Sequence, residues 1–397
     1  MRLFVVILIF PLLFPLLSAG QKISMVDSAQ KLINQKKFRT AYELLAKADP
    51  ANNEPEILRK KTSLMTQYYV TSLDHVMFAL KDLEAGESVK DYRGQAGDFE
   101  LYIFDPDSLT RRLLRKGDSS YLLYRNMSDY WFELYLKYGE NLKGRESPLD
   151  TVKKYSQKAI EFGDRHYKTT YRLAYCYTLE ENYQKAIPLF HHSIEQNDSF
   201  APAHYNLGYS YLLTNQYSNA LLHANRAFDL YQDSSRKADA ARLAGIALME
   251  MEEPKKARIY FKKSLEVAPG DYNSLKNLIQ VHFALEQNEK ADSLAMEIFS
   301  AAPETPRILN QLTELYMAAQ RKQQFLAFLN DQLEHYNDEP QVLGNIYFAR
   351  AKLNVEVDPA AAREDLKKAR EHFKKALPRD HYVFDIIQQA MNYVREK

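Results

Sequence analysis

Residues 167–200 read YKTTYRLAYCYTLEENYQKAIPLFHHSIEQNDSF, and residues 201–234 read APAHYNLGYSYLLTNQYSNALLHANRAFDLYQDS. Aligned, Leu173-Ala174 falls over Leu207-Gly208, Tyr177 over Tyr211, Tyr183 over Tyr217 and Ala186 over Ala220, a constant offset of 34 residues. A fixed period of this length marks a stacked array in which each unit buries its apolar face on its neighbours. Within each unit the apolar residues recur at helical spacing. Small residues fall where two helices of a hairpin approach most closely, and large aromatics fall where the next unit packs.

The period continues downstream. A unit starting at Ala238, three residues late, carries Gly245, Ala257 and Phe261 and closes at Pro269. The next starts at Tyr272, with Leu278, Ala291 and Ala295, and closes at Pro303. The unit from Pro306 has Leu312, Tyr316 and Leu329, but places Phe325 where a small residue is expected, so looser or shifted packing is expected there. Weaker matches flank these: 340–354 with Ala369, Phe373 and Ala376 on one side, and Phe38, Ala41, Leu45 and Ala48 on the other, followed by two expected helices between Glu56 and Leu83. From Glu87 to Asn126 the period breaks around Gly94, Gly97 and Gly117, with a strand-like run Leu101-Tyr102-Ile103-Phe104. Val383, Ile386, Ile387, Ala390 and Val394 lie at helical spacing and suit a helix that caps the last apolar face while showing water a polar one. The expected division is therefore a leader over 1–20, degenerate repeats over 21–86, an insertion or decayed unit over 87–126, and the array with its cap over 127–397.

The pattern resembles the tetratricopeptide repeat family. That resemblance implies an all-α, right-handed solenoid of stacked helix–turn–helix units with a C-terminal capping helix, in which the first helix of each unit lines a concave, partner-binding face. Mapped onto this sequence, the family's groove positions are Tyr171, Tyr175, Tyr205, Asn206 and Tyr209, then Arg242 and Ile246, then Lys276, Asn277 and Gln280, then Arg307, Asn310 and Glu314. The first group forms an aromatic patch and the later ones a polar strip suited to peptide carbonyls or carboxylates. Tyrosine offers large contact area at little entropy cost, with a hydroxyl handle. The lysine and asparagine clamp of the chaperone-binding members does not fall in register.

Composition bounds the alternatives. The chain has 397 residues, 46% hydrophobic and 26% charged, an ordinary globular profile. Arg2, the apolar run Leu3 to Leu17 and the small residues Ser18-Ala19-Gly20 read as a signal peptide cleaved before Gln21, which implies a secreted or periplasmic protein. The competing reading is a retained anchor, but Pro11 and Pro15 interrupt a run shorter than the roughly 20 residues that span a bilayer. Formal charge is +1, and nothing resembles a nucleic-acid footprint. The single cysteine, Cys176, cannot form an internal disulfide and reads as a packed thiol.

Two constellations carry possible chemistry. Asp105-Pro106-Asp107 after an apolar strand resembles the nucleophile motif of haloacid-dehalogenase-type, Mg²⁺-dependent phosphatases, though the hydroxyl residue is out of place and no doubly wound pattern follows. The simpler expectation is that these residues cap the helix that follows. His191 and Glu195 stand one helical turn apart without a third ligand. The sequence thus points to a non-enzymatic scaffold with a protein or peptide partner, no cofactor, no metal and no nucleic acid. The second reading is a structural subunit or homo-oligomer, and the third a phosphatase at Asp105 and Asp107.

Overall fold

The computed structural model describes residues 19–396, apart from 74, 96, 98 and 141–145. The expected leader therefore lies outside the described residues, except for Ala19 and Gly20, which begin the first helix. The chain divides into two compact units on either side of the Ser210–Tyr211 bond.

In the first unit α1 (Ala19–Asn34) and α2 (Phe38–Ala48) form a hairpin, followed by α3 (Pro55–Gln67). Then come three short strands, β1 (Thr71–Leu73), β2 (Met77–Ala79) and β3 (Tyr102–Ile103), paired as an antiparallel meander. Helices α4 (Pro106–Arg115), α5 (Tyr121–Tyr138), α6 (Pro148–Glu161), α7 (Tyr167–Leu179), α8 (Tyr183–Gln196) and α9 (Ala201–Leu213) follow, the last crossing the unit boundary. The second unit continues with α10 (Tyr217–Leu230), α11 (Ser234–Glu250), α12 (Pro254–Val267), α13 (Tyr272–Ala284), α14 (Asn288–Ala301), α15 (Pro306–Ala318), α16 (Lys322–His335), α17 (Pro340–Asn354), α18 (Pro359–Ala376) and α19 (Val383–Glu396). Each unit is a row of antiparallel helical hairpins, the all-α helix–turn–helix solenoid class that the period implies. In the second unit the core is a seam rather than a centre: buried side chains run continuously from Leu275 on α13 to Leu353 on α17.

One turn geometry recurs between paired helices. Glu181, Asn215, Glu252, Glu286 and Gln320 all adopt left-handed backbone, with φ between 57° and 59°. The residue after each donates its N–H back to the helix at 2.8 Å, as Asn182 does to Tyr177 O and Gln287 to His282 O. This is a Schellman closure, which satisfies carbonyls that the helix end would otherwise leave open. The late start of the unit at Ala238 is absorbed by α11, which has 17 residues where α7 and α13 have 13.

Side-chain volume is traded across the hairpins. Gly245 on α11 faces the fully buried Phe261 on α12. One period later Ile279 and Ala295 occupy those places, large and small exchanged. The looseness expected at Phe325 is not found. Its ring is fully buried, stacked on Tyr316 with centroids 4.6 Å apart and on Phe328 at 5.7 Å. The fully buried Tyr316 donates its hydroxyl to Asp292, which also accepts from Gln324 Nε2 at 2.7 Å. Tyr316→Phe should therefore lower stability by about 1–2 kcal/mol in urea unfolding, and no loss would mean that the hydroxyl is solvated.

The region before the array departs from expectation. Of two helices expected over Glu56–Leu83 only α3 forms, and the chain then turns into β1 and β2. Phe78 on β2 is fully buried against Tyr42 of α2, ring edge to face at 5.1 Å, so the sheet packs on the first hairpin. The interruption is best placed between α3 and α4, because α4 and the start of α5 are regular helix inside the stretch expected to be irregular. Strand β3 is the run anticipated at Leu101–Phe104.

Candidate partner-binding face

Helix α5 packs against α3 on one side and α7 on the other, so the first helices of the early hairpins lie in a row. On α7, Tyr171 is buried, with ring contacts to Phe190 at 5.8 Å and Phe200 at 5.0 Å. Its hydroxyl accepts from Asn206 Nδ2 at 3.2 Å, so Tyr171 and Asn206 tie α7 to α9. Tyr175 is half-buried, edge to face with Phe132 of α5 at 5.4 Å. Burial, helped by its hydrogen bond with Tyr135, pushes its phenol up to about 12. Tyr205 is half-buried and Tyr209 is 38% exposed. The accessible aromatic surface is therefore Tyr175, Tyr205 and Tyr209, joined by Tyr135, which the repeat register did not single out because α5 precedes the clear period.

The row continues toward α3 as a charged stretch. Arg172, buried, pairs with Asp129 and lies over the Phe132 ring at 5.5 Å. Beyond it is a cleft of about 240 Å³ lined by Tyr69, His75, Arg93, Glu133 and Lys137 among others. Arg93 arrives from the interruption and is fixed by donating to Tyr69 O at 3.0 Å and Gln67 O at 2.8 Å. Its guanidinium and the Lys137 ammonium both lie against the Tyr69 ring, at 4.3 and 4.6 Å from the centroid. Burial pushes the Glu133 carboxyl above the usual carboxylate range, against the pull of Arg172. No local motif announces this cleft, since its residues come from three elements far apart in sequence.

In the second unit the polar strip is only partly open. Arg242 pairs with Asp239 at 2.6 Å and Asp271 at 3.3 Å. Ile246 and Lys276 are half-buried and Asn277 is buried. Asn310 accepts from Lys352 Nζ at 2.9 Å. Gln280, Arg307 and Glu314 are exposed.

The candidate chemical sites have structural occupations. Asp105 caps α4, accepting from Asp107 N at 3.1 Å, Ser108 N at 3.2 Å and Ser108 Oγ at 2.6 Å. Asp107 accepts from Arg111 Nε at 2.9 Å and Trp131 Nε1 at 2.8 Å. His192 Nδ1 lies 3.5 Å from a Glu195 carboxylate oxygen. Among the described residues no three His, Cys, Asp or Glu side chains converge as metal ligands. Cys176 is buried, donates to Leu149 O at 3.7 Å, and burial pushes its thiol up to about 12, the state of a packed rather than a reactive sulfur. No helix among the described residues is long and apolar enough to cross a membrane.

The fold thus defines a helical-repeat protein with a partly exposed aromatic face on α7 and α9 and a charged cleft at α3 and α5. No family model matches the chain, and no curated protein matches it. Among solved structures it is similar to a tetratricopeptide repeat protein from Parabacteroides merdae, at 14% identity and a TM-score of 0.44, over 68% of this chain and 98% of that one. It is also similar to the C-terminal part of a TPR repeat-containing protein from Cytophaga hutchinsonii, at 12% identity and a TM-score of 0.40, over 69% and 94%. A third is YrrB, described as a TPR protein with an unusual peptide-binding site, at 18% identity and a TM-score of 0.36, over 47% and 95%.

Proposed function

We propose that this protein is a non-enzymatic interaction scaffold that holds a peptide segment or a protein surface against the first helices of its early hairpins. The observation that carries the reading is the repeated tyrosine placement. Tyr175 and Tyr209 stand one period apart, as do Tyr171 and Tyr205, so consecutive first helices offer aromatic surface at matching heights. Tyr209 is 38% exposed and Tyr175 and Tyr205 are half-buried, while Tyr171 and Asn206 fix the spacing between α7 and α9. A face built on packed helices needs little ordering when it binds, so a few anchors decide affinity. The sequence of residues 2–20 supports delivery through the secretory route, to the periplasm or the exterior.

The test is the double variant Tyr205→Ala/Tyr209→Ala. A partner recovered from envelope extracts with the wild-type chain should bind it about thirtyfold more weakly by calorimetry. Ile259→Ala, on the second-helix side, should bind normally. Equal affinity of all three proteins, with unchanged helical circular dichroism, would move the partner site off this face.

A further inference from the structure

We propose that the charged cleft at α3 and α5 binds a free dicarboxylic amino acid, aspartate or glutamate, with its ammonium on Glu133, its α-carboxylate on Arg93 and its side-chain carboxylate on Lys137. This site is distinct from the aromatic face, and neither reading rests on the other. The three charged groups line one cleft of about 240 Å³. Among the described residues none of them makes an ion pair. On α5 that departs from the usual pattern. Glu133 and Lys137 stand four residues apart with the acid first, the spacing and order that ordinarily pair on a helix surface. Lys137 instead lies against the rings of Tyr69, at 4.6 Å, and Tyr138, at 5.3 Å. A ring face attracts an ammonium but leaves most of its N–H donors unmatched. Arg93 is placed in the same way. Two backbone carbonyls and the Tyr69 ring hold its guanidinium, all of them neutral, and they use only part of its fork of donors.

Glu133 is the complement of these cations. It is half-buried and accepts no hydrogen bond among the described residues. Arg172, Lys168 and Arg93 attract its charge from a distance, Asp129 opposes them, and Arg172 is already paired with Asp129. Burial outweighs the attraction, so the carboxyl titrates high, as a group short of a donor does. Two cations without a carboxylate and one carboxylate without a donor decide the ligand. A phosphate would set a dianion beside Glu133. A simple monocarboxylate would satisfy one cation and leave Glu133 as it is. An amino acid with an acidic side chain carries two carboxylates and one ammonium, and it matches the lining charge for charge. Of the two cations Arg93 acts on Glu133 the more strongly, which assigns it the α-carboxylate, next to the ammonium. The size agrees, since the cleft is smaller than the roughly 300 Å³ at which sites for drug-sized ligands begin. Both cations are held in place before a ligand arrives, which limits the ordering cost of binding.

Equilibrium dialysis of the full chain against L-glutamate and L-aspartate, at neutral pH and low ionic strength, tests this. At least one of the two should bind saturably. Two analogues of the tighter ligand then read the contacts separately. Its side-chain amide, glutamine or asparagine, lacks the second carboxylate. Its deaminated form, glutarate or succinate, lacks the ammonium. Each should bind at least about tenfold more weakly than the parent. Glu133→Gln should erase the preference over the deaminated form, and Lys137→Met the preference over the amide. Each readout is a ratio of affinities, which a loss of folded protein would not change. A wild-type chain that binds neither acidic amino acid overturns the proposal. So do wild-type affinities that fail to separate the analogues, or a preference that its variant leaves intact.

Discussion

Arg125→Met should destabilise the first unit by about 3–5 kcal/mol, measured as a lower urea midpoint at unchanged slope. The reason is Asp164. Its side chain is fully buried, and Arg125 meets it through both Nε, at 2.8 Å, and a terminal guanidinium nitrogen. Thr169 Oγ1 at 2.6 Å and the His166 N–H at 2.9 Å complete the set around the carboxylate, at the junction of α6 and α7. Removing the guanidinium leaves a buried charge with two neutral donors, which costs more than the pair itself contributes. A loss below about 1 kcal/mol would show that water reaches the carboxylate.

The same junction sets an acid response with a definite sign. His166 accepts the Lys168 N–H through Nδ1, which only the neutral ring can do at that atom. Burial, with the neighbouring Arg125 charge, pushes the ring down to about 4, from 6.5 when free. Its contribution is therefore complete above 6.5 and lost as pH falls from 6.5 to 4. Asp164, held below its ordinary 3.8 by its donors, gives way only at still lower pH. Glu133, whose carboxyl is raised, acts with opposite sign, so the comparison must be between variants. His166→Asn keeps a capping acceptor without the titration, and its stability should be flatter than wild type between pH 6.5 and 4.

Gly245→Ala should cost about 1–3 kcal/mol in thermal or urea unfolding of the second unit. Intrinsic propensity pulls the other way, because alanine is favoured over glycine in a helix by about 1 kcal/mol. The contact decides the sign: a methyl carbon there would lie 2.6 Å from Cε1 of Phe261. That ring is fully buried and has no room to retreat. The hairpin one period on shows the remedy, with Ile279 and Ala295 in the corresponding places. The exchange Gly245→Ile/Phe261→Ala should regain most of the loss. If Gly245→Ala alone were neutral or stabilising, the close approach of α11 and α12 would not be what the glycine serves.

These examples show what the sequence reveals and what it hides. The small and large positions from Ala174 to Leu329 recur at a period of 34 residues, with one three-residue shift before Ala238. They are legible because the contact is periodic. Strands β1 and β2 have three residues each, too few for an alternating pattern to stand out from the helical one around it. The left-handed residues at the turns gave no signal, because glutamate or glutamine occupies most of them where glycine would be expected. For the candidate face, Tyr209 and Tyr175 could be placed from register, but the burial of Tyr171 depends on Phe200 in the following loop. The cleft at Glu133 was illegible, since Tyr69, Arg93 and Lys137 meet only through the meander that interrupts the period.

The uniform closure between paired helices bears on how such a gene can change. Joining Leu285 directly to Gln320 would remove 34 residues and put Gln320 where Glu286 stood, a residue of the same backbone hand with the same returning amide behind it. Duplication across those two codons is equally neutral to the local path. Lengthening or shortening the row by whole steps therefore leaves every remaining bend as it was, and only the mating of side-chain volumes on the two newly adjacent rods has to be solved again.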